Sequence, residues 1–208
     1  MICKEYNCIF IHIPKVAGQS VEQFFLHLAG LTWKTRSSFL LRRNLDPAMG
    51  PRRLAHLTAS EYVSCGHLTQ AAFNSFYKFS FVRNPWDRIV SEYAYRRHYR
   101  KFDFKAFLFK RLPSPGLSDS YRHILSQHCF LYDENEQLLV DFIGRFENLQ
   151  SDFEVICGDL GINSARLPHR NKAISRKHYS EYYDSESKEY VAELYEKDIR
   201  LFGYTFGA

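Results

Sequence analysis

Two short segments, separated by about sixty residues, carry side chains that could hold an anion and take part in transfer of a charged group. The first reads "HIPKVAGQS" at residues 12–20, between an apolar run and an amphipathic run. It offers a mobile charge, small residues, an amide and a hydroxyl, at Lys15, Ala17, Gly18, Gln19 and Ser20. A turn of this kind before a helix can bind an anion, because the N–H groups of the first helical turn point at the ligand. The segment therefore indicates an anion-binding loop.

Two alternatives stand beside this interpretation. Ser20 with Gln23 fits a capping box, in which the serine only closes the helix N-terminus. The segment also lacks the glycine-lysine order of an ATP-binding P-loop, since Lys15 precedes Gly18. A ligand with fewer charges than ATP, bound without a metal ion, fits the loop better.

The second segment reads "RNPWDRIVSEY" at residues 83–93. Arg83 follows a predicted strand, and Ser91 lies about two helical turns further along. Both could meet a second anionic group of the same ligand. The alternative is that Arg83 forms an ordinary surface ion pair and that Asn84 and Pro85 only begin a helix.

Strands and helices alternate around these segments. Strands are predicted at Cys8–His12, 61–67, Tyr77–Val82 and 138–147. Helices are predicted from Val21 to Leu28, after Asn84, over 148–161 and from about Ser185. On the helix after Asn84, an apolar stripe (Trp86, Ile89, Val90, Tyr93) is predicted to lie opposite a polar one (Asn84, Asp87, Arg88, Ser91). The pattern predicts one α/β domain over 1–208, with a central parallel sheet flanked by helices and a P-loop-like loop between the first strand and first helix.

Composition limits the class of protein. The 208 residues are 45% hydrophobic and 25% charged with a net charge of +5, which is ordinary for a globular domain and suits anionic ligands. Five cysteines without a C-x-x-C pair predict neither a disulfide framework nor a zinc site. No apolar run is long enough for a membrane span. We therefore expect a cytoplasmic protein without stable membrane insertion.

Taken together, the two segments resemble those of sulfotransferases that use 3′-phosphoadenosine 5′-phosphosulfate (PAPS). The likeness is greatest to the carbohydrate sulfotransferases of the Golgi and their bacterial relatives. It continues through "CGHL", "DFIGRFENLQSDFEVI" and "LPHRNKAISRKHYSEYYD" to "YEKDIRLFGYTF". The resemblance implies that residues 12–20 bind the 5′-phosphosulfate and that Arg83 and Ser91 hold the 3′-phosphate.

The same resemblance implies the chemistry. Lys15 would neutralise the charge that develops on the oxygen bridging sulfur and the 5′-phosphate. His67, in the "G-H" segment, would take the proton of the acceptor hydroxyl as general base. We expect His12 to be a packing residue, and the nine histidines and five cysteines show no metal-ligand spacing. The resulting prediction is a metal-independent O-sulfotransferase that uses PAPS and acts on a carbohydrate or glycan, not on nucleic acid.

Basic stretches add a candidate surface and two rival functions. Residues 34–53 and the "RNKAISRK" segment of the basic, aromatic loop "RLPHRNKAISRKHYSEYY" are natural contacts for an acidic acceptor or for the nucleotide. One rival is a small-molecule phosphotransferase, which would require magnesium and ATP. The other is a non-catalytic module for polyanions or nucleic acid, suggested by the arginine pairs at 42/43, 52/53 and 96/97. The sequence predicts neither the sugar nor the oligomeric state.

Overall fold

A four-stranded sheet organises the fold. The computed structural model describes residues 1–116, 118–163, 165–168 and 177–207. The strands, in the spatial order β1-β2-β3-β4, are β1 Ile2–Cys3, β2 Cys8–Ile11, β3 Tyr77–Val82 and β4 Phe142–Arg145. The strand β2 is buried throughout, and β3 is buried from its second residue, as expected for strands covered on both faces.

The register agrees with the predicted parallel sheet except at one edge. Phe10 of β2 pairs with Phe79 of β3, and Ser80 of β3 pairs with Ile143 of β4, both in parallel. The short strand β1 was not predicted, and it runs antiparallel to β2. The anion-loop segment therefore connects the second strand, not the first, to the first helix.

Helices surround the sheet. Their bounds are α1 Gly18–Leu28, α2 Glu61–Ser64, α3 Gln70–Ser75, α4 Pro85–Tyr95, α5 Phe104–Lys110, α6 Asp119–Arg122, α7 His128–Leu131, α8 Leu149–Asp159, α9 Ser185–Leu194 and α10 Glu196–Phe202. Short 3-10 turns lie at Arg36–Phe39, Pro47–Met49, Leu54–His56, His98–Arg100, Phe146–Asn148 and Tyr179–Tyr182. Among the described residues, every helix is too short or too polar to span a bilayer.

The aromatic residues of α1 join it to the sheet and to α8. Phe25 is fully buried, with its ring centroid 5.9 Å from that of Phe79 and 6.2 Å from that of Phe153. Phe24 meets the same Phe153 edge-on at 4.8 Å. These contacts confirm the predicted amphipathic helix and fix α1 against the sheet, so that its N-terminus lies at the carboxyl end of β2.

A second apolar cluster holds α4 against α5 and α9, and it contains the predicted stripe of Trp86, Ile89, Val90 and Tyr93. Asn84 caps α4 as predicted, since its Oδ1 accepts a hydrogen bond from Trp86 N at 3.1 Å. The prediction that Arg88 lies on a polar face is wrong. Its side chain is among the largest fully buried ones, and it donates hydrogen bonds to the carbonyls of Pro14, His123 and Leu125.

Three further predictions need correction. Residues 61–67 form the helix α2 and a turn at Gly66 instead of a strand, because Glu61 Oε2 accepts a hydrogen bond from Thr58 N at 2.8 Å and starts a helical turn. The strand predicted over 138–147 shortens to β4. The last helix breaks at Tyr195 into α9 and α10. Residues 169–176 of the predicted basic loop lie outside the described part of the chain.

Candidate active site

The loop between β2 and α1 leads into a helix N-terminus that has no side-chain cap. The residue before the helix, Ala17, is left-handed with φ 66°, and Lys15 is left-handed with φ 76°. Such conformations are costly for residues other than glycine and occur at ligand-binding loops. No side chain among the described residues caps the helix. The capping box of Ser20 with Gln23 is therefore wrong, because the helix begins at Gly18 and Ser20 N donates to the Ala17 carbonyl at 2.9 Å. The positive end of the helix dipole still faces the loop and favours an anion there.

Only glycine fits at position 18, because the backbone there lies very close to the His12 ring. A Cβ added to Gly18 would lie 2.1 Å from His12 Cδ2 and Nε2. The His12 ring is held from behind, because its Nδ1 lies 2.6 Å from Glu22 Oε1 and its face stacks on Phe10. Burial by itself raises the pKa of the Glu22 carboxyl, but the adjacent His12 outweighs it and lowers that pKa. His12 thus supports the loop, in agreement with the predicted packing role.

Lys15 brings a positive charge to one side of this loop. Its Nζ lies 3.7 Å from the centroid of the Tyr95 ring at the end of α4. The Tyr95 ring also stacks on the His123 ring, and their centroids are 5.7 Å apart. The ammonium is therefore held beside the loop by a cation–π contact.

The two segments that the sequence singled out are in direct contact. Arg83 Nη1 donates to the carbonyl of Lys15 at 2.9 Å, and Arg83 Nε and Nη2 donate to Asp87 Oδ2 at 2.9 and 2.7 Å. The guanidinium also lies 3.8 Å from the centroid of the Phe146 ring. Ser91, four residues after Asp87, lies half-buried on the same face of α4. Arg83, Asp87 and Ser91 thus form a polar row beside the loop.

Gln127 was missed by sequence reasoning, although it fixes Arg83. Its Oε1 accepts from Arg83 N at 2.9 Å, and its Nε2 donates to Arg83 O at 2.8 Å. Gln127 is fully buried and comes 44 residues later in the chain, so no local pattern could have indicated this contact. Gln127 therefore bonds both the N–H and the carbonyl of Arg83, just after the end of β3.

A cluster of histidines and carboxylates lies beside Lys15. His56 Nδ1 is 2.8 Å from Asp119 Oδ1, and His123 Nδ1 is 2.7 Å from Glu92 Oε2. Burial lowers the pKa of His56 to about 4, with the charges of the His12 and His123 rings acting in the same direction and the Asp119 carboxylate opposing them. Although burial alone would raise it, the hydrogen bond with His56 brings the pKa of Asp119 to about 2. At neutral pH, His56 is therefore uncharged and Asp119 is an anion.

This cluster has donor atoms that a metal ion could use. The candidate ligand atoms of His56, Asp119 and His123 lie within 4.8 Å of one another. However, Arg53 Nε already lies 3.2 Å from Asp119 Oδ2. Because that guanidinium supplies the positive charge that Asp119 needs, the local electrostatics disfavour a further cation. The absence of a metal from the reaction stays a prediction.

A cavity of about 250 Å³ opens next to the loop. Its lining residues are His12, Gln19, Glu22, Trp33, Arg36, Leu41, Arg42, Arg43, Arg53, Ala55 and His56. Four arginines therefore face one carboxylate, and that carboxylate is already paired with His12. The predicted basic stretch of residues 34–53 supplies five of these eleven residues, including all four arginines.

His67 lies in a different environment from the one its predicted role requires. Its Nε2 is 2.9 Å from the carbonyl oxygen of Met49, and it follows the helix α2, not a strand. The residues that line the cavity do not include it. Its role as general base stays a prediction, and His56 is a second candidate that the sequence did not single out.

Comparisons with known proteins assign the chain to a family. The model of the Sulfotransferase family matches residues 1–205. An uncharacterized protein of Archaeoglobus fulgidus is 31% identical over 101 residues, which cover 43% of this chain and 72% of that protein. No solved structure matches the chain significantly. Because the family model matches nearly the whole length of the chain, the chain belongs to the Sulfotransferase family and is a sulfotransferase.

Proposed function

We propose that this sulfotransferase moves a sulfuryl group from PAPS to a carbohydrate hydroxyl by in-line transfer. The observation that carries the proposal is the 2.9 Å hydrogen bond from Arg83 to the Lys15 carbonyl. It brings the open helix N-terminus and the polar row of α4 to a single site, so one ligand could span both. PAPS has two separate phosphate groups, at its 3′ and 5′ positions, which suits such a site.

In this proposal the donor is held at two points. The loop residues Ala17, Gly18, Gln19 and Ser20 bind the 5′-phosphosulfate through N–H groups and a hydroxyl. Arg83 and Ser91 receive the 3′-phosphate. Because Arg83 already donates to Asp87, the phosphate must share or displace that carboxylate, and the two fixed donors of Arg83 then give a directional contact.

Lys15 acts on the leaving side. As the bond to sulfur breaks, negative charge builds on the oxygen that remains with the 5′-phosphate. A positioned ammonium stabilises that charge more strongly in the transition state than in the ground state. The Tyr95 ring holds Lys15 without removing its charge, which supports this role.

A histidine takes the proton of the acceptor hydroxyl. The sequence favours His67, whereas the geometry favours His56, which lines the cavity and has a carboxylate partner. If the Nδ1–H of His56 donates to Asp119, the lone pair of Nε2 is left to accept a proton. Asp119 would then stabilise the imidazolium that forms, as a carboxylate orients a catalytic histidine in other transfer enzymes.

The pH profile distinguishes the two bases. Burial lowers the pKa of His56 to about 4, since His12 and His123 act in the same direction and outweigh, with burial, the opposing effect of Asp119. With His56 as the base, kcat/KM should stay level from pH 8 down to about pH 5. With a histidine base of ordinary pKa, about 6.5, kcat/KM should already decline as the pH falls below about 6.5. Turnover of His56→Gln and His67→Gln is measured in parallel. The variant that lacks the base should lose about 10²- to 10⁴-fold in turnover, whereas the other variant should stay near wild type.

Localisation and partners complete the proposal. The structure has all five cysteines as free thiols, including Cys3 and Cys8, which face each other across β1 and β2. The odd number of cysteines and the lack of a C-x-x-C pair favour the cytoplasm, where we place this enzyme. Its partners in this proposal are PAPS and a carbohydrate, with no role for nucleic acid.

Binding of the spent donor, adenosine 3′,5′-bisphosphate, tests the proposal without an acceptor. At 100 times its dissociation constant it should stabilise the fold by about 2.7 kcal/mol. For a chain of this size that corresponds to a rise in Tm of roughly 5–10 °C, measured in EDTA. An equal or larger rise with Mg·ATP, and none with the bisphosphate, would contradict the proposal in favour of phosphoryl transfer.

A further inference from the structure

The arginines of the cavity are placed for a ligand that the chain itself does not supply. Arg42 and Arg43 are exposed, and neither forms an ion pair with a carboxylate within the described ranges. Arg36 instead packs over the Trp33 ring, with its Cζ 4.6 Å from the ring centroid. Charges of one sign that converge on a concave wall attract a ligand of the opposite sign.

Two charged residues of this cavity already have partners. Glu22 is the one carboxylate in the lining, and its Oε1 lies 2.6 Å from His12 Nδ1. Arg53, in the same wall, is paired with Asp119. The positive charge that has no carboxylate partner within the described residues is therefore concentrated at Arg36, Arg42 and Arg43.

The nucleotide is a poorer occupant than the acceptor. The polar row that would receive the 3′-phosphate lies on α4, and no residue of β3 or α4 lines the cavity. Instead the lining comes from the end of β2, from α1 and from residues 33–56. The cavity thus adjoins the loop at Gln19 without including the polar row of α4, so it can receive a second substrate beside the donor.

We propose that this cavity is the acceptor site and that Arg42 and Arg43 select a sugar bearing an anionic group such as a carboxylate, sulfate or phosphate. The inference rests on the proposed function, which makes the second substrate a carbohydrate. The volume of about 250 Å³ lies below the usual range for drug-sized ligands. It suits one charged sugar ring, with Trp33 as a stacking face and the arginines on the charged substituent.

The test compares charged sugars with their neutral parent. Glucuronate, glucose 6-sulfate, glucose 6-phosphate and glucose are titrated by saturation-transfer NMR into the protein saturated with adenosine 3′,5′-bisphosphate. At least one charged sugar should bind about tenfold more tightly than glucose, the size of one charge-assisted contact. Arg42→Ala and Arg43→Ala should each remove most of that preference. Arg52→Ala is the matched control, because Arg52 is exposed in the same stretch but does not line the cavity.

The outcomes separate this inference from the proposed function. If no charged sugar is preferred over glucose, or if Arg52→Ala weakens binding as much as Arg42→Ala, the acceptor-site inference is wrong. If Arg42→Ala weakens the bisphosphate instead, the cavity belongs to the donor, which also overturns it. A preference for charged sugars that depends on Arg42 and Arg43 supports the inference even if PAPS is not turned over. A lack of PAPS turnover would count against the proposed function alone.

Discussion

Gly18→Ala should damage both the stability of the protein and its affinity for adenosine 3′,5′-bisphosphate. The added Cβ would sit 2.1 Å from two atoms of the His12 ring, so ring and loop must separate by more than 1 Å. His12 is anchored by Glu22 and by Phe10, which leaves the loop to move. Overpacking of this kind costs about 1–3 kcal/mol, or roughly 2–12 °C in Tm for a chain of this size.

The loss of affinity should exceed what the loss of stability explains. A loop displaced by this distance loses at least one charge-assisted N–H contact to the phosphosulfate, which is worth about tenfold or more in Kd. Differential scanning fluorimetry gives Tm, and isothermal titration calorimetry gives Kd for the bisphosphate.

Two glycines serve as controls. Gly144→Ala places a Cβ 2.5 Å from Phe81 in the core, so it should lower Tm without changing Kd. Gly158→Ala, with nothing within 4 Å in α8, should raise stability by about 0.5–1 kcal/mol. Wild-type Tm and Kd for Gly18→Ala would refute the close packing of loop and ring. A fall in Tm with an unchanged Kd would refute the loop as the phosphosulfate site.

Three further predictions follow from the same geometry. Lys15→Ala should lower kcat far more than it weakens donor binding, and a loss confined to affinity would make Lys15 a ground-state anchor. Arg83→Ala and Ser91→Ala should each bring the Kd of adenosine 3′,5′-bisphosphate towards that of AMP while the Kd of AMP barely moves; equal weakening of both would mean a structural role. The hydrogen bond to Asp198 raises the pKa of His128 to about 9, so the charged form stabilises the fold. This stability is complete below pH 6.5 and is lost as the pH rises through 9, so the fall in Tm over that window should shrink in His128→Gln.

Local patterns predicted the elements that position the loop. The apolar run of β2 and the spacing of Phe25 in α1 are encoded within twenty residues, and the structure confirms both. The helix begins at Gly18, three residues before the predicted start at Val21. Residues 61–67 were misassigned, because a short alternating run fits either a strand or one helical turn. There the side chain of Glu61 decides, by accepting a hydrogen bond from the backbone of Thr58.

The environment of the site could not be predicted in the same way. Arg88 has the spacing of a polar stripe, and only the folded chain provides the three carbonyls that let it be buried. His56 and Asp119 meet across 63 residues, so no spacing rule connects them. The resemblance to a family drew attention to His67, whereas the cavity and the carboxylate partner of His56 appear only in three dimensions.

Transfer of labelled sulfate tests the central claim most directly. The protein is incubated in EDTA with sulfur-35 PAPS and a panel of neutral and acidic glycans, beside a parallel reaction with γ-labelled ATP and magnesium. The account predicts label on a glycan, formation of adenosine 3′,5′-bisphosphate in equal amount, and no transfer from ATP. Label that passes from ATP and not from PAPS, or a transfer that EDTA abolishes and added metal restores, would contradict it.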